Sequence, residues 1–214
     1  SHGAYPHQGK DPIVLASAIV MRLQTLISRE QNPFDPAVVT VGSFHAGTKH
    51  NIISDNAHLQ LTVRSFSDQT RQRLLDGIQR IARGEAIAAG LPDDKLPSVT
   101  WEKIYTRATF NSPEFTSEIV SDLKGKMGDA RVFTSVPVMG GEDFGEFRRA
   151  DEDHIKSAIL WVGGRDGAQL EAAKKDGRQL PGIHSPFWAP EADKVIASAA
   201  EALTLTAMRL MPKH

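Results

Sequence analysis

The sequence contains no cysteine among its 214 residues, and neither sign of charge is in excess. The absence of cysteine excludes disulfide bonds, thiolate zinc sites and a cysteine nucleophile from this chain. Any metal ligands in the chain must therefore be histidine or carboxylate side chains. The 25 basic and 26 acidic side chains give a formal net charge of −1, so no general attraction to nucleic acid or to a membrane surface is expected.

Long apolar runs are also missing, since none approaches the roughly 20 residues that cross a bilayer. The first residues, SHGAYPHQGKDP, are unlike a signal peptide. The compartment cannot be read from such a sequence, and the cytoplasm is only the default expectation. Nothing upstream would hold these residues in place, so we interpret Ser1 as a truncation point within a longer protein.

The first half of the chain begins with a helix and two strands. Asp11 and Pro12 form an N-cap and first-turn pair, and apolar residues then recur at helical spacing over about 18 residues. Two alternating runs, at 39–41 and 58–64, predict strands. The second strand places Arg64 on the face away from the helix-covered core, because successive side chains of a strand point to opposite faces.

A second helix and a last strand complete this half. Ser67 or Asp68 can cap the helix, and its predicted buried side carries Leu74, Leu75, Ile78 and Ile81. A strand is predicted near 99–105, and a first strand at or just before Ser1. The order strand, helix, strand, strand, helix, strand predicts a ferredoxin-like domain over residues 1–110.

Residues 111–214 alternate strands and helices, and the apolar strands end in glycine pairs. The predicted elements are a helix from Pro113, a strand over 132–138, a strand over 158–162 and a helix over 192–211. The buried side of the last helix is predicted to carry Val195, Ile196, Ala199, Leu203 and Leu210. The polar stretch 166–180 is predicted to be a loop. This pattern is typical of α/β layers whose ligands gather at strand ends, so we expect part of a larger α/β domain with an incomplete sheet.

Four short clusters contain residues that could carry chemistry, at 2–7, 47–53, 140–144 and 182–186. Each has a structural alternative. These alternatives are a loose N-terminus, local backbone hydrogen bonds made by Asn51, helix capping by Asp143, and a solvated loop histidine at His184.

Taken in order, five segments resemble the C-terminal half of the metal-dependent amidohydrolases related to hippurate hydrolase, indoleacetyl-amino-acid hydrolase, aminoacylases and carboxypeptidase relatives. The segments are HGAYPHQGKDPI, GSFHAGTKHNIISDNA, LTVRSF, MGGEDF and GIHSPFW. In that family an α/β catalytic domain holds two divalent metal ions, and an inserted ferredoxin-like domain forms a homodimer. The resemblance implies an α/β fold with an α+β insert: a dimerisation domain at 1–110, then the C-terminal part of the catalytic domain at 111–214, whose N-terminal part is absent.

The resemblance also implies roles for single residues. His184 matches the late metal-ligand histidine of the family. His2 matches a histidine that reaches into the partner subunit's active site and polarises the scissile carbonyl, as a donor aimed at a developing oxyanion would.

Four further residues match the substrate pocket of the family. Asn51 matches a substrate-contacting asparagine, and Arg64 matches the arginine that pairs with the free carboxylate of the substrate. Gly141 and Glu142 match a loop that lines the pocket, where Glu142 could orient His184 or a metal-bound group.

The chain departs from the family pattern in two respects. Ser54 and Leu61 replace residues usual in the family, although neither is a proposed ligand. More important, the family's upstream cysteine-and-histidine metal motif, its paired glutamates and a further ligand histidine have no counterpart here. One histidine cannot hold a metal tightly where a hydrolytic site needs about three protein ligands plus water.

These observations predict part of an enzyme that hydrolyses N-acyl amino acids such as hippurate. The complete enzyme is expected to hold zinc or manganese, whereas this chain alone is expected to bind no metal. We expect this chain to be inactive by itself. Its expected partners are a small N-acyl amino acid and a second copy of the chain, with no nucleic acid and no membrane. The alternative is a dimerisation or binding module without chemistry.

Overall fold

The computed structural model of the chain describes residues 1–211. A first unit comprises Ser1–Thr109 and Pro137–Glu146, and a second unit comprises Phe110–Val136 and the residues from Phe147 onward. Helices and a small sheet occur together, so the expected α/β class is confirmed. The assignment of residues 1–110 and 111–214 to two domains of a larger enzyme stays a prediction.

Helix α1 (Pro12–Thr25) begins where the sequence predicts. The Asp11 carboxylate accepts hydrogen bonds from the backbone N–H of Ile13 at 2.8 Å and of Val14 at 3.4 Å. These bonds satisfy two of the backbone donors that a helix start leaves without partners, and the proline at the first position has no N–H to satisfy. The helix continues through a π-helical turn at Leu26–Glu30.

Strands β1 (Ala37–Ala46) and β2 (Ala57–Ser65) form an antiparallel hairpin with an irregularity at Gly42. Along β2 the side chains alternate as predicted. His58, Gln60 and Thr62 are exposed, whereas Leu59, Leu61 and Val63 pack against the core. Arg64 continues the outward set, so its predicted face is confirmed.

Helix α2 (Asp68–Ala88) is capped by Ser67, whose Oγ accepts the N–H of Thr70 at 3.1 Å. Its buried face includes every residue predicted for it, namely Leu74, Leu75, Ile78 and Ile81. This face packs with α1 and the sheet into one core of Ile19, Leu23, Leu26, Val39, Leu74, Ile78, Ile81 and Ala82. By length and composition the helical stretch Pro12–Glu30 could cross a membrane, and its residues Ile19, Leu23 and Leu26 pack in the core of the first unit.

The strand predicted at 99–105 is wrong, because the described residues there form no ladder. Val99 packs against the core, yet Ile104 is 94% exposed. A strand needs a neighbour for its backbone hydrogen bonds, and the described sheet consists of β1 and β2 alone. At the chain start, the predicted first strand is reduced to one isolated bridge between His2 and Ile52. Of the six ferredoxin-like elements, the central helix, strand, strand, helix are formed.

The second unit is mainly helical. Helices α3 (Pro113–Met127) and α6 (Ala192–Leu210) confirm the two predicted helices. The short α4 (Gly145–Arg149) begins within the residues of the first unit. Helix α5 (Gly167–Lys175) contradicts the loop predicted at 166–180. The polar composition was misleading there, since Asp166 caps the helix by accepting the N–H of Ala168 at 2.8 Å and good helix formers follow.

The strands predicted at 132–138 and 158–162 are also wrong, since neither segment forms a ladder in the described residues. The second segment instead bonds to a side chain. The Asn111 amide donates to the Ile159 carbonyl at 3.1 Å, and its oxygen accepts the Ile159 N–H at 2.8 Å. This amide satisfies backbone groups that a neighbouring strand would otherwise satisfy.

The predicted buried side of α6 is wrong for this chain. Ile196 is 66% exposed, Leu203 is 67% exposed and Leu210 is 50% exposed. Arg209 fastens α6 to α3 through Glu118 at 3.1 Å. Val195 and Ala199 of the predicted side are half-buried, so the apolar stripe of the helix is only partly covered by the described residues.

Candidate functional site

Arg64 lies near the end of β2, on the face opposite the apolar side chains that pack on the core. Its side chain is half-buried and its guanidinium contacts Gly141, where an added Cβ would lie 2.5 Å from Nη1 and 3.5 Å from Cζ. Within residues 1–211, no carboxylate pairs with this guanidinium. A half-buried arginine without an acidic partner presents a planar fork of donors that suits a ligand carboxylate.

The loop that carries Gly141 and Glu142 is fastened to the first unit. The Thr109 hydroxyl donates to the Glu142 carbonyl oxygen at 3.0 Å. The Glu142 carboxylate turns back on its own loop and accepts the N–H of Phe144 at 3.0 Å. This second bond closes a local turn before α4, since Phe144 precedes the first residue of that helix, and helix capping by Asp143 stays a prediction.

A second group of contacts, which the sequence analysis missed, lies next to this loop in the first unit. Arg107 is 3.8 Å from the Glu146 carboxylate and 4.0 Å from that of Asp68. The Tyr105 hydroxyl donates to Asp68 at 3.0 Å, and the Arg71 guanidinium lies 3.5 Å from the centre of the Tyr105 ring. Burial, and then the hydrogen bond to Asp68, raises the pKa of Tyr105. No spacing in the sequence signals these contacts, because the partners are far apart along the chain.

The N-terminal residues are held against the loop of Asn51, so the loose N-terminus considered above is not observed. The Gly3 N–H donates to the Asn51 carbonyl at 2.7 Å, and a Cβ on Gly3 would lie 3.0 Å from that oxygen. The Ala4 N–H donates to Nδ1 of His2 at 3.0 Å. Because Nδ1 accepts this bond, the neutral ring carries its proton on Nε2, which is then the donor of this exposed imidazole.

The structure thus brings the predicted residues of the first unit together as two groups. His2 lies with Asn51, and Arg64 lies with Gly141, which Glu142 follows in the chain. Asn51 lies in the loop that leads into β2 at Ala57, whereas Arg64 lies near the other end of β2. At about 3.3 Å per residue, the strand from Ala57 to Arg64 is roughly 23 Å long.

His184 lies in the second unit, in an exposed turn closed by the Ser185 N–H donating to the Gly182 carbonyl at 2.9 Å. Arg165 supports this turn by donating to the Pro181 carbonyl at 2.9 Å. In the part of the chain that the structure describes, no group of three or more histidine, cysteine, aspartate or glutamate side chains is placed to hold a metal ion. These residues do not fit a complete hydrolytic metal site, which needs about three protein ligands.

Further pKa shifts occur away from the predicted site residues. The Thr70 hydroxyl, and to a smaller extent Arg73, lowers the pKa of Asp35. In the second unit the hydrogen bond from Lys194 lowers the pKa of Asp166, and the same bond raises the pKa of Lys194. These groups brace helix ends through exposed or half-exposed ion pairs, and we assign them a structural role.

Comparison with known proteins identifies the family. Residues 1–89 match the M20 family model described as a peptidase dimerisation domain. The N-acetyldiaminopimelate deacetylase of Leuconostoc mesenteroides is 33% identical over 187 residues, which cover 86% of this chain and 46% of the relative. Residues 1–89 belong to the M20 dimerisation domain family, and the chain as a whole is similar to M20 amidohydrolases. The family resemblance predicted from the sequence is therefore confirmed, and the chain spans about half the length of the curated M20 relatives that it matches.

Solved structures show the same M20 fold. An aminohydrolase of methicillin-resistant Staphylococcus aureus is 27% identical, with a TM-score of 0.68 over 97% of this chain and 48% of that chain. The YXEP protein of Bacillus subtilis, described as a dinuclear metal binding peptidase from the M20 family, is 22% identical, with a TM-score of 0.62 over 94% of this chain and 46% of that chain. The roles of single residues stay predictions for His2, Asn51, Arg64, Gly141, Glu142 and His184.

Proposed function

We propose that the chain is part of an M20 enzyme that hydrolyses the amide bond between an acyl group and an amino acid, and that Arg64 binds the free carboxylate of the substrate. The half-buried guanidinium of Arg64, without an acidic partner in the described residues, carries this proposal. The name of the relative N-acetyldiaminopimelate deacetylase describes removal of an acyl group from an amino acid, which supports it. Hippurate-like substrates fall within the same class, since they share the carboxylate that Arg64 would bind.

The separation of His2 and Arg64 supports an active site built from two chains. An N-acyl amino acid places its scissile carbonyl only a few bonds from its carboxylate, whereas roughly 23 Å of strand separates the two groups of residues. Arg64 of one chain and His2 of the partner would therefore serve one substrate. In this arrangement Nε2–H of His2 donates to the carbonyl oxygen as charge develops on it, and Asn51 contacts the same substrate. The match to a dimerisation domain supports a homodimer.

The metal chemistry is proposed only for the complete enzyme. We propose that it uses a divalent ion, zinc or manganese, and that His184 supplies one ligand. The described residues offer no three-ligand group, so we propose that this chain alone is inactive. Glu142 would act near the pocket from the loop that carries it, and any contact with His184 stays a prediction.

A second candidate function is a dimerisation module without chemistry. The match of residues 1–89 to a dimerisation domain favours it, because such a domain can associate without a metal site. A module of this kind has no reason to prefer a ligand with a free carboxylate.

The complete enzyme, charged with zinc or manganese, should be assayed on N-acetyl and N-benzoyl amino acids and on their C-terminal amides. Arg64→Met keeps an unbranched, flexible side chain and removes the guanidinium with its charge. Loss of a hydrogen bond to a charged group costs about 1.5–3 kcal/mol, so we expect kcat/KM for the acids to fall about 10- to 150-fold. The amides should be affected little. Arg83→Met, on the exposed face of α2, is the matched control.

Equal losses for acids and amides in the Arg64→Met enzyme would contradict the carboxylate role. Turnover by the 214-residue chain alone, with added metal, would contradict the statement that its metal site is incomplete. Dimerisation of the complete protein without hydrolysis of any N-acyl amino acid would favour the module.

A further inference from the structure

The backbone conformation of Gly141 does not require glycine. Its φ lies outside the left-handed region, which among the described glycines is occupied by Gly47, Gly90, Gly128 and Gly177. The space beside it is the restriction, since a Cβ there would lie 2.5 Å from Nη1, 3.5 Å from Cζ and 3.8 Å from Nη2 of Arg64. The neighbouring Gly140 differs, because the nearest atom to its Cβ would be Cγ2 of Val138 at 4.0 Å.

The contact would be relieved by movement of Arg64 and not of the loop. The loop is fastened on the far side of Gly141 by the part-buried hydrogen bond from Thr109 to the Glu142 carbonyl. The guanidinium is the far end of a flexible side chain and has no acidic partner in the described residues that would resist a shift. Ordinary contact distances of about 3.5 Å require it to move by roughly 1 Å.

We infer that Gly141 is a positioning residue for Arg64: its bare Cα lets the guanidinium lie against the 140–142 loop, and this contact sets where the carboxylate of the substrate binds. The inference rests on the proposed function of Arg64. A bidentate arginine–carboxylate pair depends on the direction of the fork, so a 1 Å displacement weakens binding while the charge is unchanged. Gly141 then determines specificity for carboxylate ligands without contacting the ligand.

The test compares Gly141→Ala with the matched control Gly140→Ala in the intact 214-residue chain. The first readout needs no ligand and is the NMR resonance of Arg64 Nε–H. We expect Gly141→Ala to shift this resonance and to speed its exchange with water, while Gly140→Ala leaves both unchanged. The second readout is the dissociation constant for an N-acetyl amino acid and for its amide, with about tenfold weaker binding of the acid in Gly141→Ala and no change for the amide.

An Arg64→Lys background separates positioning from general damage to the fold. Lysine has no planar fork to meet the added Cβ, so Gly141→Ala should have no further effect on acid binding there. An unchanged Nε–H resonance in Gly141→Ala, or an equal loss of acid binding in both backgrounds, would overturn the inference. If the unsubstituted chain binds acid and amide alike, the proposed function of Arg64 fails, and the ligand-free resonance still decides whether Gly141 positions the side chain.

Discussion

Two defective subunits should restore one active site when they are combined in one dimer. The first subunit carries His2→Ala and the second carries Arg64→Ala, both in the complete enzyme. His2 pairs with the loop that leads into β2, and Arg64 lies near the far end of that strand, which is roughly 23 Å long between Ala57 and Arg64 at 3.3 Å per residue. If one substrate is bound by Arg64 of one chain and His2 of the other, the mixed dimer has one site with both residues and one site with neither.

The expected activities follow from this arrangement. The His2→Ala homodimer should lose about 10²–10³ in kcat, as is typical for loss of a donor to an oxyanion. The Arg64→Ala homodimer should lose about 10- to 150-fold in kcat/KM, because it lacks the partner of the substrate carboxylate. Mixed dimers purified through two different affinity tags should recover about half of the wild-type kcat, since one of the two symmetric sites is complete. Mixed dimers as inactive as either homodimer would refute the two-chain site, because both of their sites would then lack one residue. A dimer with both substitutions in the same subunit is the matched control.

Two further predictions concern stability. Leu23 is 1% exposed in the core of the first unit. The substitution Leu23→Ala should lower the free energy of unfolding, measured by urea denaturation, by about 2–5 kcal/mol. Met21→Ala on the exposed side of the same helix should cost less than about 0.5 kcal/mol, and equal losses would contradict the packing described. Thr70→Val removes the hydroxyl that lowers the pKa of Asp35. A carboxylate whose pKa is lowered in the folded state stabilises the fold at pH values above its unfolded pKa of about 3.9. The loss of unfolding free energy in Thr70→Val should therefore be present at pH 7 and shrink below about pH 3.9. A loss that is the same at all pH values would contradict this role.

The sequence predicted the elements whose signals are local. Helices α1 and α2 could be predicted because their caps, Asp11 and Ser67, and their apolar spacing lie within the helices or next to them. The strands β1 and β2 were predicted for the same reason, since alternation is visible within each strand. The loop predicted at 166–180 failed because polar composition was given more weight than the cap and the helix-forming residues of α5.

The failed strand predictions share one physical cause. The segments 99–105, 132–138 and 158–162 have apolar residues suited to strands, but a strand exists only where a neighbour accepts its hydrogen bonds. A sequence shows the apolar side chains and not the neighbour. At Ile159 the structure satisfies the backbone with the side chain of Asn111 instead.

The same distinction between local signals and distant contacts applies to the candidate site. The outward face of Arg64 followed from alternation along β2, whereas its contact with Gly141 joins distant parts of the chain and has no local signal. The supports from Thr109 and Arg107 were missed for this reason. The roles suggested for His2 came from family resemblance, and the proton position on its ring came only from the hydrogen bond of Ala4.

The most direct test of the central claim is an NMR titration of the 214-residue chain with an N-acetyl amino acid, following the side-chain Nε–H resonance of Arg64. We predict a saturable shift of this resonance with the acid and little shift with the matching amide, while the resonance of the exposed Arg83 stays in place. Equal shifts with acid and amide, or no shift of Arg64 at any concentration, would contradict the assignment of Arg64 as the residue that binds the substrate carboxylate.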